Sequence, residues 1–127
     1  MPEFRPGFRF SLLDAGILLA GIATVCCAPK EIALVTATAV GHFFLFCNVF
    51  RISRGPELTW AALFVMLSSS TMTTGRPPWG ITISAACGLA AILICRELKL
   101  PSYHGVFWKK FNPSLADWWR ENRERSL

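Results

Sequence analysis

His42 is the only ionisable residue well inside an apolar run of this chain. An ionisable side chain at membrane depth is a functional candidate. It lies eleven residues past Glu31, about 16 Å along a helix rising ~1.5 Å per residue. Thr38 precedes it by one turn and Phe46 follows by one. Three chemistries suit it: axial ligation of a tetrapyrrole by neutral imidazole, a hydrogen bond to a quinone carbonyl, and proton relay. The structural alternative is an interhelical hydrogen bond to a Ser or Thr hydroxyl. A bis-histidine haem needs a second buried imidazole. The other histidine, His104, lies in the C-terminal tail, so that site would need a second copy or a partner.

A second cluster sets Asn48, Arg51, Arg54 and Glu57 at intervals of three, with Arg96, Glu97 and Lys99 expected at the same level. If the helix continues through Ile52, Asn48 and Arg51 share a face. Together these residues could hold a lipid headgroup phosphate or an acidic loop of a partner. Ordinary charge anchoring also accounts for them. Asp14 could pair with one of these arginines, or simply be an acid at a helix N-terminus.

The five cysteines, Cys26, Cys27, Cys47, Cys87 and Cys95, form no C-x-x-C, haem-attachment or paired zinc pattern. Quinone-reducing disulfide-forming membrane proteins need that C-x-x-C, and glutathione-using eicosanoid enzymes match in size only. No hydrolase, kinase or Gly-rich phosphate motif is present, which points away from an enzyme.

The elements that must position these residues are four apolar runs, 10–28, 32–52, 58–74 and 79–95, joined by loops of three to five residues. The chain is 53% hydrophobic and 17% charged, against roughly a quarter charged for a soluble domain. A spanning helix needs about 20 mainly apolar residues. The expected fold is therefore all-α: a polytopic membrane protein with four transmembrane helices in an up-down bundle. Residues 1–9 form an N-terminal segment, 10–95 the membrane domain and 96–127 an amphipathic, Trp-rich interfacial tail. A cleaved signal peptide is the competing reading of the first run, but no small-x-small cleavage site follows it cleanly.

Alternating the run ends puts eleven of the 13 Lys and Arg residues on one side, leaving Lys30 and Arg76 on the other. The positive-inside rule then places both termini in the cytoplasm, most simply at a bacterial inner membrane. Trp60 and Trp79 start runs on opposite faces, where an aromatic belt would put them. No basic, aromatic-interleaved soluble domain exists to bind nucleic acid.

Small residues that let helices approach recur at intervals of four: Gly16 and Ala20, Ala37 and Gly41, Ser84 and Gly88. They serve packing within the chain or against a partner. The outer halves of the runs are rich in hydroxyls, notably over 68–74, and the inner halves in aromatic rings. In the tail, Trp108, Trp118 and Trp119 stand beside Lys and Arg, as in a helix lying on an anionic leaflet or docking on a partner.

These features predict a small membrane protein serving as an accessory or structural subunit of a larger membrane complex. Two alternatives stand beside it. One is an electron-transfer subunit holding haem, a chlorophyll-type pigment or a quinone at His42. The other is a small oligomeric carrier or channel with a hydroxyl-lined outer vestibule. The expected partners are the bilayer, other membrane subunits or further copies of the chain.

Overall fold

The computed structural model describes residues 4–125, with side chains through Arg123. The described residues form six α-helices and one π-helical turn, with no strand. Helix α1 is Leu12–Cys27. Helix α2, Lys30–Phe44, continues without a break as the π-helix Leu45–Val49. Helices α3 (Arg54–Thr74) and α4 (Trp79–Leu98) follow, then the short α5 (Trp108–Phe111) and α6 (Leu115–Arg125).

Local chemistry explains most of the boundaries. Ser11 and Asp14 make a reciprocal capping box. The Asp14 carboxylate accepts from the Ser11 N–H and hydroxyl, both at 2.7 Å, and the Ser11 Oγ accepts from the Asp14 N–H at 3.3 Å. Asp14 is thus a helix cap rather than an arginine partner. Ala28 and Pro29 separate α1 from α2 with extended backbone. Gly75 closes α3 in the left-handed region at φ +70°, where glycine carries no Cβ penalty. Helix α3 starts at Arg54, earlier than the apolar run implied. Ser53 is extended, and Pro56 lies in the first turn, where its missing N–H goes unneeded.

The connections are short, so α1 pairs with α2 and α3 with α4. In the first pair the close approach is at Gly21, where an added Cβ would sit 3.2 Å from a methyl of Val40. In the second pair a compact core forms from Trp60 and Phe64 of α3 and Ala86, Ala90, Leu93 and Ile94 of α4. Phe46, from the π-helix, completes it.

Two helices are long and apolar enough to cross a membrane, Lys30–Val49 and Trp79–Leu98. Helix α1 is apolar but has 16 residues, about 24 Å. Helix α3 has 21 residues but carries Arg54, Glu57 and six hydroxyl residues over 68–74. Large apolar side chains remain uncovered on these helices: Leu12 at 94% exposure, with Leu13, Leu19, Val65, Met66, Ile81 and Ile92.

Beyond α4 the chain turns back instead of extending away. Gly7 donates its N–H to the His104 carbonyl at 2.7 Å, and Val106 donates to the Val49 carbonyl at 2.8 Å. The Asn112 Nδ2 amide bridges the carbonyls of Pro101 (2.6 Å) and Tyr103 (3.1 Å). Tyr103 and Leu115 are buried. The N-terminal segment, the π-helix and the tail thus close one end of the molecule together.

Candidate functional site

The π-helix is the element that organises the candidate residues. One extra residue per turn replaces i→i−4 with i→i−5 bonding, as in Phe50 N–H to the Leu45 carbonyl at 2.9 Å. Such bulges are frequent at functional sites. Here the bulge turns Phe46 into the core and Asn48 inward, and Arg51 follows it with φ +48°.

Asn48 does not reach a headgroup or a partner loop, as its spacing with Arg51 suggested. It is 2% exposed. Its Nδ2 donates to the Arg9 carbonyl at 2.8 Å, and its own carbonyl accepts from the Arg9 N–H at 3.0 Å. Its Oδ1 is buried without a hydrogen-bond partner among the described residues. Arg51 donates from Nη1 to the Arg5 carbonyl at 2.5 Å. Both residues therefore hold the N-terminal segment, and they share no face, because the α-helix does not continue through Ile52.

Next to Asn48 in the π-helix, the Cys47 thiol donates to the Glu57 carboxylate at 3.3 Å. The Glu97 carboxylate, largely buried, accepts from Ser53 Oγ at 2.8 Å. Arg54, Arg96 and Lys99 remain exposed at helix ends. Sequence spacing did not reveal these two bonds, since each links residues that periodicity treats as separate.

One turn before the π-helix stands His42. Its Nδ1 lies 2.8 Å from the Thr38 carbonyl on its own helix. A carbonyl only accepts, so Nδ1 carries a proton, and in a neutral ring the lone pair then lies on Nε2. Nothing among the described residues bonds Nε2. The imidazole face stacks on Trp60, with centroids 4.6 Å apart and an 18° tilt. Trp60 is fixed in turn: its Nε1–H donates to the Ala86 carbonyl at 2.9 Å, it stacks on Phe64 at 5.0 Å, and it meets Phe46 edge-on at 5.4 Å. Trp60 is thus a core residue, 5% exposed, and not an aromatic-belt anchor. The early start of α3 carries it well past the first turn.

His42 lies on a wide-mouthed, open cleft between α2 and α4 of about 320 Å³, lined also by Ala37, Thr38, Gly41, Leu45, Ile83 and Cys87. His104 takes no part in it. Its Nδ1 contacts the Ser102 carbonyl at 2.9 Å in the tail. Among the described residues no group of three or more His, Cys, Asp or Glu side chains could hold a metal, and none of the five cysteines is in a disulfide.

The remaining candidates divide clearly. Gly16, Gly41 and Gly88 have no atom within 4 Å of where a Cβ would stand, and Ala20, Ala37 and Ser84 are exposed. The close approach within this chain falls at Gly21 instead. The hydroxyls of α3 turn to backbone: Ser68 to the Phe64 carbonyl at 2.6 Å, Thr73 to Ser69 at 2.8 Å and Thr74 to Ser70 at 2.8 Å. Thr71 and Thr82 bond each other across the α3–α4 seam at 2.8 Å. In the tail, Phe4 packs against Trp108 and Trp119, with centroids 6.0 and 5.6 Å apart. Trp118 is half-buried, and Lys109 lies over the Trp108 ring at 5.8 Å. Burial pushes the Tyr103 phenol up to about 12.

No protein-family model, curated protein or solved structure matches this chain. The class that fold and site define is a small all-helical protein with two helices long and apolar enough to cross a membrane.

Proposed function

We propose that this chain is an integral membrane protein with all four long helices in the bilayer, working as an accessory subunit of a larger helical complex. In this reading both termini lie on the cytoplasmic side, as the Lys/Arg distribution requires. The uncovered apolar side chains support the location. Contiguous apolar surface on this scale belongs against lipid or protein.

One observation carries the accessory role. Gly16 and Gly88 sit within α1 and α4 with open space where a Cβ would be. A mid-helix glycine costs about 1 kcal/mol relative to alanine, and no contact within the chain offsets it at either position. Small residues on lipid-facing helices let a neighbouring helix approach closely. A second chain would supply that missing contact. The hydroxyls of 68–74, bonded largely to backbone, favour a packing role over a water-filled vestibule.

Native mass spectrometry of the full chain in mild detergent tests this, with Gly88→Leu as the diagnostic variant. The wild type is expected to carry larger subunits. Gly88→Leu is expected to keep its own thermal stability and lose those subunits. A wild type that emerges alone or with lipid only would refute the accessory role. So would a Gly88→Leu variant that keeps the complex intact.

A further inference from the structure

We propose that the His42 cleft binds a lipid-soluble, hydroxyl-bearing aromatic ring, a hydroquinone-type headgroup, whose O–H donates to His42 Nε2. The inference does not depend on the accessory role. It rests on the preparation of one nitrogen.

The imidazole is held on two sides. Thr38 fixes Nδ1–H at 2.8 Å, and Trp60 fixes the plane of the ring by stacking at 4.6 Å. Trp60 is itself locked by a buried hydrogen bond to Ala86. This is how a ligand-binding imidazole is supported: one nitrogen tied to backbone sets the tautomer and orientation of the other. The second nitrogen is then an acceptor without a partner among the described residues, at the wall of a cleft whose other walls are apolar or small.

The ligand class follows from donor and acceptor bookkeeping. In the neutral ring Nε2 offers a lone pair, so its complement is an O–H. A quinone carbonyl brings another lone pair, which Nε2 cannot pair and for which the Cys87 thiol offers only a weak S–H, whereas the two-electron-reduced form brings a hydroxyl. A cleft of about 320 Å³ is at the small end of ligand sites, which run about 300–1,000 Å³. It suits one substituted six-membered ring better than a tetrapyrrole. Gly41 provides the floor: a side chain there would project into open space, so a flat ring can lie against the helix backbone. The cleft opens between α2 and α4, the two helices long and apolar enough to span a membrane. A ligand dissolved in the bilayer would therefore reach it sideways.

The test uses the full chain in nanodiscs with ¹⁵N-labelled histidine. Only two histidines are present, and His42→Phe identifies the His42 signals by their loss. The probes are tetramethylhydroquinone and tetramethylbenzoquinone, added separately under anaerobic conditions. In the free protein His42 is expected to show a protonated Nδ1 and a bare Nε2. The hydroquinone should shift the Nε2 resonance saturably, and the quinone should bind at least tenfold more weakly. Gly41→Leu should abolish the shift while leaving the tautomer and the thermal stability unchanged, because it occupies the cleft from a position where a Cβ meets no other atom within 4 Å. The proposal is overturned if the free protein carries its proton on Nε2, if both probes act alike, or if Gly41→Leu binds as the wild type does. A cleft already filled by a copurifying subunit, seen as an Nε2 resonance that neither probe moves, overturns it as well.

Discussion

Replacing Gly105 by alanine should destabilise one end of this molecule, although the backbone conformation alone predicts the reverse. Gly105 is not among the glycines with positive φ. At such a position Gly→Ala ordinarily stabilises by about 0.4–1 kcal/mol, through lost freedom of the unfolded chain. A Cβ at Gly105, however, would overlap the backbone carbonyl of Phe50 and press on the Tyr103 hydroxyl. A carbonyl at the end of the π-helix cannot step aside as a side-chain tip can. The tail must lift instead. Three bonds are then at risk: Gly7 N–H to His104 at 2.7 Å, Val106 N–H to Val49 at 2.8 Å, and the Tyr103 hydroxyl to the Val106 carbonyl at 2.7 Å. At about 1 kcal/mol net for each, the closed arrangement loses roughly 2–3 kcal/mol. That corresponds to a roughly 30- to 150-fold rise in the open population. Amide hydrogen exchange of the full chain in detergent reads this directly. Gly7 and Val106 should exchange faster by that factor while the amides of α4 stay protected. Unchanged or slower exchange at those two amides would refute the close-approach argument.

Three further outcomes follow from the same packing. Trp60→Phe keeps a ring between His42 and Phe64 but deletes the buried bond to Ala86 and leaves a small void, so it should cost roughly 2 kcal/mol in reversible unfolding; a loss under about 0.5 kcal/mol would contradict the assigned role. Asn48→Asp is isosteric yet faces the Arg9 carbonyl with a carboxylate oxygen, beside a position already lacking one partner. Its unpaired charge should cost about 3–5 kcal/mol, and wild-type stability at neutral pH would defeat that reasoning. Tyr103 gives a pH signature. Its phenol is raised by burial to about 12 in the folded chain, against an ordinary value near 10, so the fold holds the proton more tightly than the unfolded chain does. Its stabilisation is complete below pH 10 and is lost as pH rises from 10 towards 12. Exchange at Val106 should accelerate across that window, and Tyr103→Phe should remove the dependence.

The helices were legible because their signals are local. The apolar runs bring the four long helices close to their observed limits, with Ala28 and Pro29 separating the first two and Gly75 closing the third. What escaped was longer in range or lacked a compositional mark. A π-bulge inserts one residue without changing the apolar pattern, so nothing in 45–49 announced that Asn48 would turn inward. Trp60 read as an interfacial ring because it lies near the start of an apolar run. The helix begins six residues before it, with Pro56 in its first turn. Gly16 and Gly21 are equivalent contact points by type, and only the approach of Val40 on α2 selects Gly21. The tail displays the amphipathic pattern of a leaflet-lying helix. Its pairing with Gly7 joins residues 97 positions apart (104 − 7), which no periodicity encodes. His42 was legible as a candidate from its depth. The tautomer that decides its chemistry needed the Thr38 carbonyl in place.

The bond between Gly7 and His104 also sets a clock on biosynthesis. Gly7 is translated before the four long helices, and the carbonyl that receives its N–H only after them. Until then Asn48 can engage Arg9, but Val49 and Gly7 wait with open backbone groups. A chain cut before His104 would leave the Gly7 N–H and the Val49 carbonyl without the partners that close this end.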